Sequence, residues 1–170
     1  MQTVVTTNAT GWSYQMQFRT WRLSKAKHSN DLSGIGAAIN GGRWNIKDVP
    51  ALYLGENPAI CCLEHFVNAS GPPSTALVLA QVELPGDEDL YWEPDDLPPG
   101  WNSKPADTPS MDFGTAWLRS GNHLGLIVPS AVLPVQKNLV INPRHPAWPG
   151  IKVIEAQEFF YDPRMFQNRS

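Results

Sequence analysis

Cysteine is scarce in this chain, and long apolar runs and an excess of basic charge are missing. The only two cysteines, Cys61 and Cys62, are adjacent. Neighbouring Cα atoms lie about 3.8 Å apart, under the ~4.4 Å that a comfortable disulfide needs. Both therefore read as free thiols of a reducing, cytoplasmic compartment. No stretch approaches the ~20 consecutive apolar residues of a membrane span, and Met1 to Thr10 has neither the basic nor the apolar region of a secretory leader. No membrane partner is expected. The formal charge of −3 argues against direct nucleic-acid binding, which normally shows a clear basic excess. It leaves room for a local basic pocket that takes one small anion. His28, His65, His123 and His145 show no ligand spacing with one another or with the cysteines, so no metal site is expected.

What is present points to one folded unit. A length of 170 residues suffices for a full hydrophobic core. Sixteen prolines and seven tryptophans suggest long ordered loops and aromatic-lined surfaces. Residues 1–14 read as a polar N-terminal extension and 15–170 as a single domain. Gln15 to Leu23 alternates like a strand, with Arg22 between two apolar residues. Ser24 to Asn40 has no period and reads as a loop with a short helical turn. Asn57-Pro58 is a helix start with Asn as N-cap and Pro at the first position, and the helix should run to about Ala69. Its apolar stripe is Ile60, Leu63 and Val67, widened by Cys62, Phe66 and Ala69, which places Glu64 at the stripe's edge. Strands are expected over Thr75 to Leu84, Gly125 to Val132 with a break at Pro129, Asn138 to Pro143 and Ile151 to Tyr161. A helix is expected over Met111 to Ser120, ended by Gly121. The acidic segment from Pro85 to Asp107 reads as irregular surface. Six or seven strands against two or three helices, without regular alternation, predict a mixed α/β (α+β) domain around a strongly bent sheet.

The chemistry concentrates at Gly41-Gly42-Arg43-Trp44-Asn45, followed by Leu52-Tyr53-Leu54-Gly55 and the helix that carries Glu64. Adjacent glycines allow positive φ and close approach of a ligand. An arginine can grip a phosphate with two parallel hydrogen bonds, and an aromatic face can stack on a heterocycle. A carboxylate held nearby can stabilise a sugar cation. Taken singly, the same residues also fit an ordinary turn, a surface charge, a half-buried strand tyrosine and an exposed helical glutamate.

Further pieces are Trp21-Arg22-Leu23, Trp117-Leu118, Val128-Pro129-Ser130, Asn138, Ile141-Asn142-Pro143 with His145-Pro146, and Phe160 to Arg164. In this order, from residue 15 onward, they resemble the RES-domain toxins of bacterial RES–Xre type II toxin–antitoxin pairs, named for an Arg, a Glu and a Ser. The resemblance implies a fold related to ADP-ribosyltransferase catalytic domains and an activity that consumes NAD as substrate, with no other cofactor. Carried over position by position, it makes Glu64, Arg22 and Ser130 catalytic. Arg43, Tyr53, Trp44, Asn45 and Gly42 become substrate-binding.

The residue chemistry fits that implication. Arg22 or Arg43 could clamp the pyrophosphate, and Tyr53 could stack on nicotinamide or ribose. Breaking the N-glycosidic bond builds positive charge at C1′, which Glu64 could stabilise directly or through the ribose 2′-hydroxyl. Ser130 would hold Glu64 or the ribose. The acceptor stays open: water gives a glycohydrolase, inorganic phosphate a phosphorylase, a protein side chain an ADP-ribosyltransferase. The expected partner is a cognate Xre-like DNA-binding antitoxin, and homodimerisation is left open. An inert domain that only binds a nucleotide or a partner is the alternative of a different class. A ribonuclease is disfavoured by the acidic charge and the absence of a histidine paired with a second base.

Overall fold

The computed structural model describes residues 2–6, 15–69 and 71–167. Eight strands form one sheet: β1 (Gln2–Thr6), β2 (Gln15–Lys25), β3 (Leu52–Gly55), β4 (Leu77–Pro85), β5 (Tyr91–Trp92), β6 (Gly125–Pro129), β7 (Lys137–Ile141) and β8 (Lys152–Phe159). The order is β5-β6-β7-β3-β2-β4-β8, with β1 also paired to β2. Among the described residues only β5 and β6 run parallel; every other pairing there is antiparallel. Three α-helices complete the described residues: α1 (Ile35–Asn40), α2 (Pro58–Asn68) and α3 (Thr108–Ser120). The expected mixed α/β domain with a few helices is what the chain builds, and a register shift between Gln81 and Val82 interrupts the β4–β8 ladder.

One helix start and one strand end differ from expectation for local reasons. Helix α3 begins at Thr108, three residues early, because the Asp107 carboxylate accepts from the Thr108 amide and Pro109 sits in the first turn, where its missing N–H is no loss. β6 stops at Pro129, so Ser130 belongs to the following loop. Within the polar N-terminal stretch, Gln2–Thr6 pairs with the start of β2, while residues 7–14 lie outside the described residues.

Because successive strand side chains alternate between faces, the register separates two packing layers. Phe18 faces Leu84, Leu52 faces Ile141 and Leu54 faces Leu139, and these close one core with Val82, Leu124 and Ile151. On the opposite face Tyr53 lies across from Val140 and Leu126 across from Val140 on the other side. That face is covered by Trp44, Val49, Ala51 and, from α3, Trp117 and Leu118.

Helix α2 follows the cap and length read from Asn57-Pro58: the Asn57 side chain accepts from the Ile60 amide, and the last helical residue is Asn68. Its seating differs. The buried residues are Ile60 and Cys61, whereas Val67 is 49% exposed. The reason lies at Gly55 of β3, where an added Cβ would stand 2.6 Å from Cys61 Sγ and 2.7 Å from Ile60 Cγ2. The helix thus rests directly on a strand that has no side chain at that point. Part of the residues read as its apolar stripe, Cys62 and Phe66, meets Tyr161 on a second side. Tyr161 donates from its hydroxyl to the Cys62 carbonyl at 2.7 Å and packs against His65, Phe66 and Phe166.

Candidate active site

The docking of α2 decides where Glu64 goes. Ile60 and Cys61 sit four and three residues before Glu64, so all three share one helical face. Glu64 therefore points toward the sheet and is half-buried, not on the helix rim. Its Oε1 accepts a hydrogen bond from Ser130 Oγ at 2.7 Å and another from Asn138 Nδ2 at 2.7 Å. Ser130 follows the last residue of β6, and Asn138 lies on β7 opposite Val128 and Gly55. The register puts Asn138 on the same sheet face as Tyr53 and Val140.

Ser130 is fully buried, and its hydroxyl has no capacity left. It donates its one proton to Glu64 and accepts from the Val132 and Leu133 amides, both at 3.0 Å. A hydroxyl offers one donor and two lone pairs, and all three are engaged. In this arrangement the Ser130 hydroxyl is fully engaged in holding the Glu64 carboxylate.

The Gly-Gly-Arg-Trp-Asn stretch is a tight turn. Gly42 and Asn45 bridge each other, with the Gly42 amide donating to the Asn45 carbonyl at 2.9 Å. Gly41 sits at φ 79°, a conformation that favours glycine. Tyr53 reaches the turn from β3: its hydroxyl donates to Asn45 Oδ1 at 2.6 Å and accepts from the Trp44 amide at 3.0 Å. Burial pushes the Tyr53 phenol well above its ordinary pKa, so it stays protonated and can donate. Gly42 has no room for a side chain, since a Cβ there would stand 2.7 Å from the Tyr53 hydroxyl and 2.8 Å from Asn45 Oδ1. Asn45 is entirely buried and shares its amide protons among the carbonyls of Ala37, Ile46 and Val49. Trp44, also buried, lies between Trp101 and Phe113.

Four of the residues read from sequence as substrate-binding thus hold a turn, and the fifth is what the turn presents. Arg43 stands at its tip, half-buried, with Nη1 donating to the Trp101 and Ser103 carbonyls at 2.8 and 2.9 Å. The acidic, tryptophan-rich segment, irregular apart from β5 and a short 3-10 turn, therefore has a part: it anchors Arg43 and walls the second core with Trp92, Leu97 and Trp101. Arg43, Tyr53, Glu64, Ser130 and Asn138 belong to one face of the sheet.

Arg22 does not join them. By register it shares the face of Phe18 and Thr20, the opposite one. Its Nη1 donates to the His28 and Asp31 carbonyls at 3.0 and 2.6 Å, which pins the stretch between β2 and α1. Burial lowers the pKa of the guanidinium, opposed by the Asp31 carboxylate. Asn138 stood among the residues that carry the family resemblance but was not assigned to the site. Composition and spacing gave it no further signal than an amide opening an otherwise apolar strand, Asn138-Leu139-Val140-Ile141.

The described residues contain no group of three or more metal-ligating side chains, and no helix among them is long and apolar enough to cross a membrane.

The family profile described as the RES domain matches residues 19–162. A Sphingobium sp. (strain YBL2) protein named Prs ADP-ribosylating toxin is 39% identical over 155 residues, covering 86% of this chain and 96% of that protein. A Yersinia enterocolitica protein named Toxin Res is 36% identical over 135 residues, covering 78% and 89% respectively. Among solved structures, the crystal structure of the M. tuberculosis MbcT-MbcA toxin-antitoxin complex superposes with a TM-score of 0.65 at 20% identity, with 86% of each chain covered. At that identity the likeness is one of fold.

Proposed function

Because this chain belongs to the RES-domain family, we propose that it is the toxin of a toxin–antitoxin pair and that it cleaves the nicotinamide–ribose bond of NAD. The observation that carries this reading is the Glu64 carboxylate, fixed through Oε1 by Ser130 and Asn138 on the sheet face that also carries Arg43. The relatives named Toxin Res and Prs ADP-ribosylating toxin support it.

The reaction needs little acid catalysis, because the leaving pyridinium already carries the positive charge. As the C1′–N bond lengthens, that charge moves onto the ribose ring and the nicotinamide departs neutral. Glu64 offers negative charge to the oxocarbenium-like state, directly or through the 2′-hydroxyl. Preorganised electrostatics of this kind is typically worth ~3–4 kcal/mol in the barrier. Arg43 takes the pyrophosphate, its fork suited to two parallel contacts. Tyr53, Trp44, Asn45 and Gly42 act through the turn that presents Arg43. Arg22 holds the loop after β2. With water as acceptor, NAD and water give nicotinamide, ADP-ribose and a proton. An antitoxin protein, most simply an Xre-like DNA-binding one, closes the face that carries Glu64 and Arg43.

The name of the Sphingobium relative favours a second reading, transfer of the ADP-ribosyl group to a protein side chain. One experiment separates them. Purified chain is incubated with adenine-labelled NAD, with and without inorganic phosphate and a cell extract, and the products are resolved by chromatography. Free ADP-ribose supports hydrolysis, its 1-phosphate phosphorolysis, and label on protein the transferase. Glu64→Gln should abolish all three. Intact NAD with the wild-type chain would reject the activity and leave a binding domain.

A further inference from the structure

Glu64 is held by one oxygen. Ser130 and Asn138 both donate to Oε1, and among the described residues nothing donates to Oε2. A single donor would leave the carboxylate free to swing, because the terminal torsion of a glutamate is broad. Two donors, one from the loop after β6 and one from β7, fix its plane. Ser130 is exhausted by that task, as its lone pairs are taken by two amides. Asn138 is placed differently. It is half-buried on β7, with Gly55, which has no side chain, beside it on β3. One N–H of its amide goes to Glu64, while its second N–H and its carbonyl oxygen engage no described residue.

We infer that Asn138 is a positioning residue for the reaction: it locks the Glu64 carboxylate so that Oε2 faces the 2′-hydroxyl of the nicotinamide ribose. This rests on the NAD-cleaving reading above. A positioned donor acting on a reacting group through another residue typically carries a ten- to hundred-fold effect, as outer-shell partners of metal ligands do.

The test compares wild type and Asn138→Ala on NAD and on an NAD analogue lacking the 2′-hydroxyl of the nicotinamide ribose. On NAD, kcat should fall on the order of ten- to a hundred-fold with KM little changed. On the analogue most of that difference should vanish, because the contact that Asn138 aims no longer exists. Retained wild-type kcat, an equal loss on both substrates, or a rise in KM alone would overturn the inference. A measurement on the unsubstituted Asn138 guards against a variant that fails to fold. The side-chain amide resonance of Asn138, read by NMR, should move when Glu64→Gln removes the charge it donates to. An unmoved resonance overturns the contact. If the wild-type chain leaves NAD intact, the activity reading fails, and the resonance alone decides whether Asn138 holds Glu64.

Discussion

Replacing Tyr53 by Phe tests whether this tyrosine stacks on a ligand or builds the turn, because the change keeps the ring and deletes one oxygen. That oxygen accepts from the Trp44 amide and donates to Asn45 Oδ1. Asn45 is fully buried, so the loss strands an amide N–H and a carbonyl oxygen without water to replace the partner. Leaving buried polar groups unsatisfied costs about 1–3 kcal/mol. In a chain of this size each kcal/mol moves Tm by about 2–4 °C, so Tyr53→Phe should melt roughly 2–12 °C lower. The loosened turn should also raise KM for NAD, since Arg43 is its tip, with a smaller effect on kcat because Glu64 is held elsewhere. Differential scanning calorimetry and initial-rate kinetics read both. A variant that melts with the wild type and keeps its KM would refute the turn-building account and return Tyr53 to a ring-stacking role.

The two arginines should separate cleanly. Arg43→Lys should raise KM for NAD with little change in Tm, while Arg22→Lys should lower Tm and speed proteolysis between residues 26 and 34, leaving KM alone; calorimetry and limited proteolysis decide. Gly55→Ala places a Cβ within 2.7 Å of Ile60 and Cys61, so α2 must shift, at about 1–3 kcal/mol and with a marked loss of kcat, and Cys61→Ala in the same chain should restore part of both. Burial pushes the Cys61 thiol up to about 12, above the ~8.5 of an unfolded cysteine. The folded state then keeps a proton that the unfolded state loses, so this contribution is complete below about pH 8.5 and fades as pH rises toward 12. Urea denaturation across that window should show a falling stability that Cys61→Ala flattens, and an identical slope in both proteins would exclude this group as the cause.

Local signals carried far in this chain, and their limits are physical. Asn57-Pro58 marked the start of α2 because a cap is a property of neighbouring residues. The face of α2 could not be read the same way, since Ile60 and Cys61 rest on β3 while Cys62, His65 and Phe66 are covered by Tyr161 from far along the sequence. A helix with two covered sides has no single apolar stripe, and the apparent one displaced Glu64 to its edge. The Gly-Gly-Arg-Trp-Asn stretch was legible as special, and its glycines as a turn. That Tyr53 serves Trp44 and Asn45 depends on a strand eight residues on, which spacing does not reveal. Arg22 entered the site through the family resemblance, and strand register puts it on the face opposite that of Glu64. Asn138 needed the pairing of β7 with β3 and β6 before its amide acquired a partner.

The two hydrogen bonds on Glu64 close loops of 66 and 74 residues. Contacts this distant in sequence carry a loop-closure cost that local contacts avoid. A chain that ends before Ser130 can therefore form neither bond, and one that ends before Asn138 lacks the second. On the proposed reading, the carboxylate is set only once β7 has paired with β3 and β6, long after the residues of α2 have been synthesised.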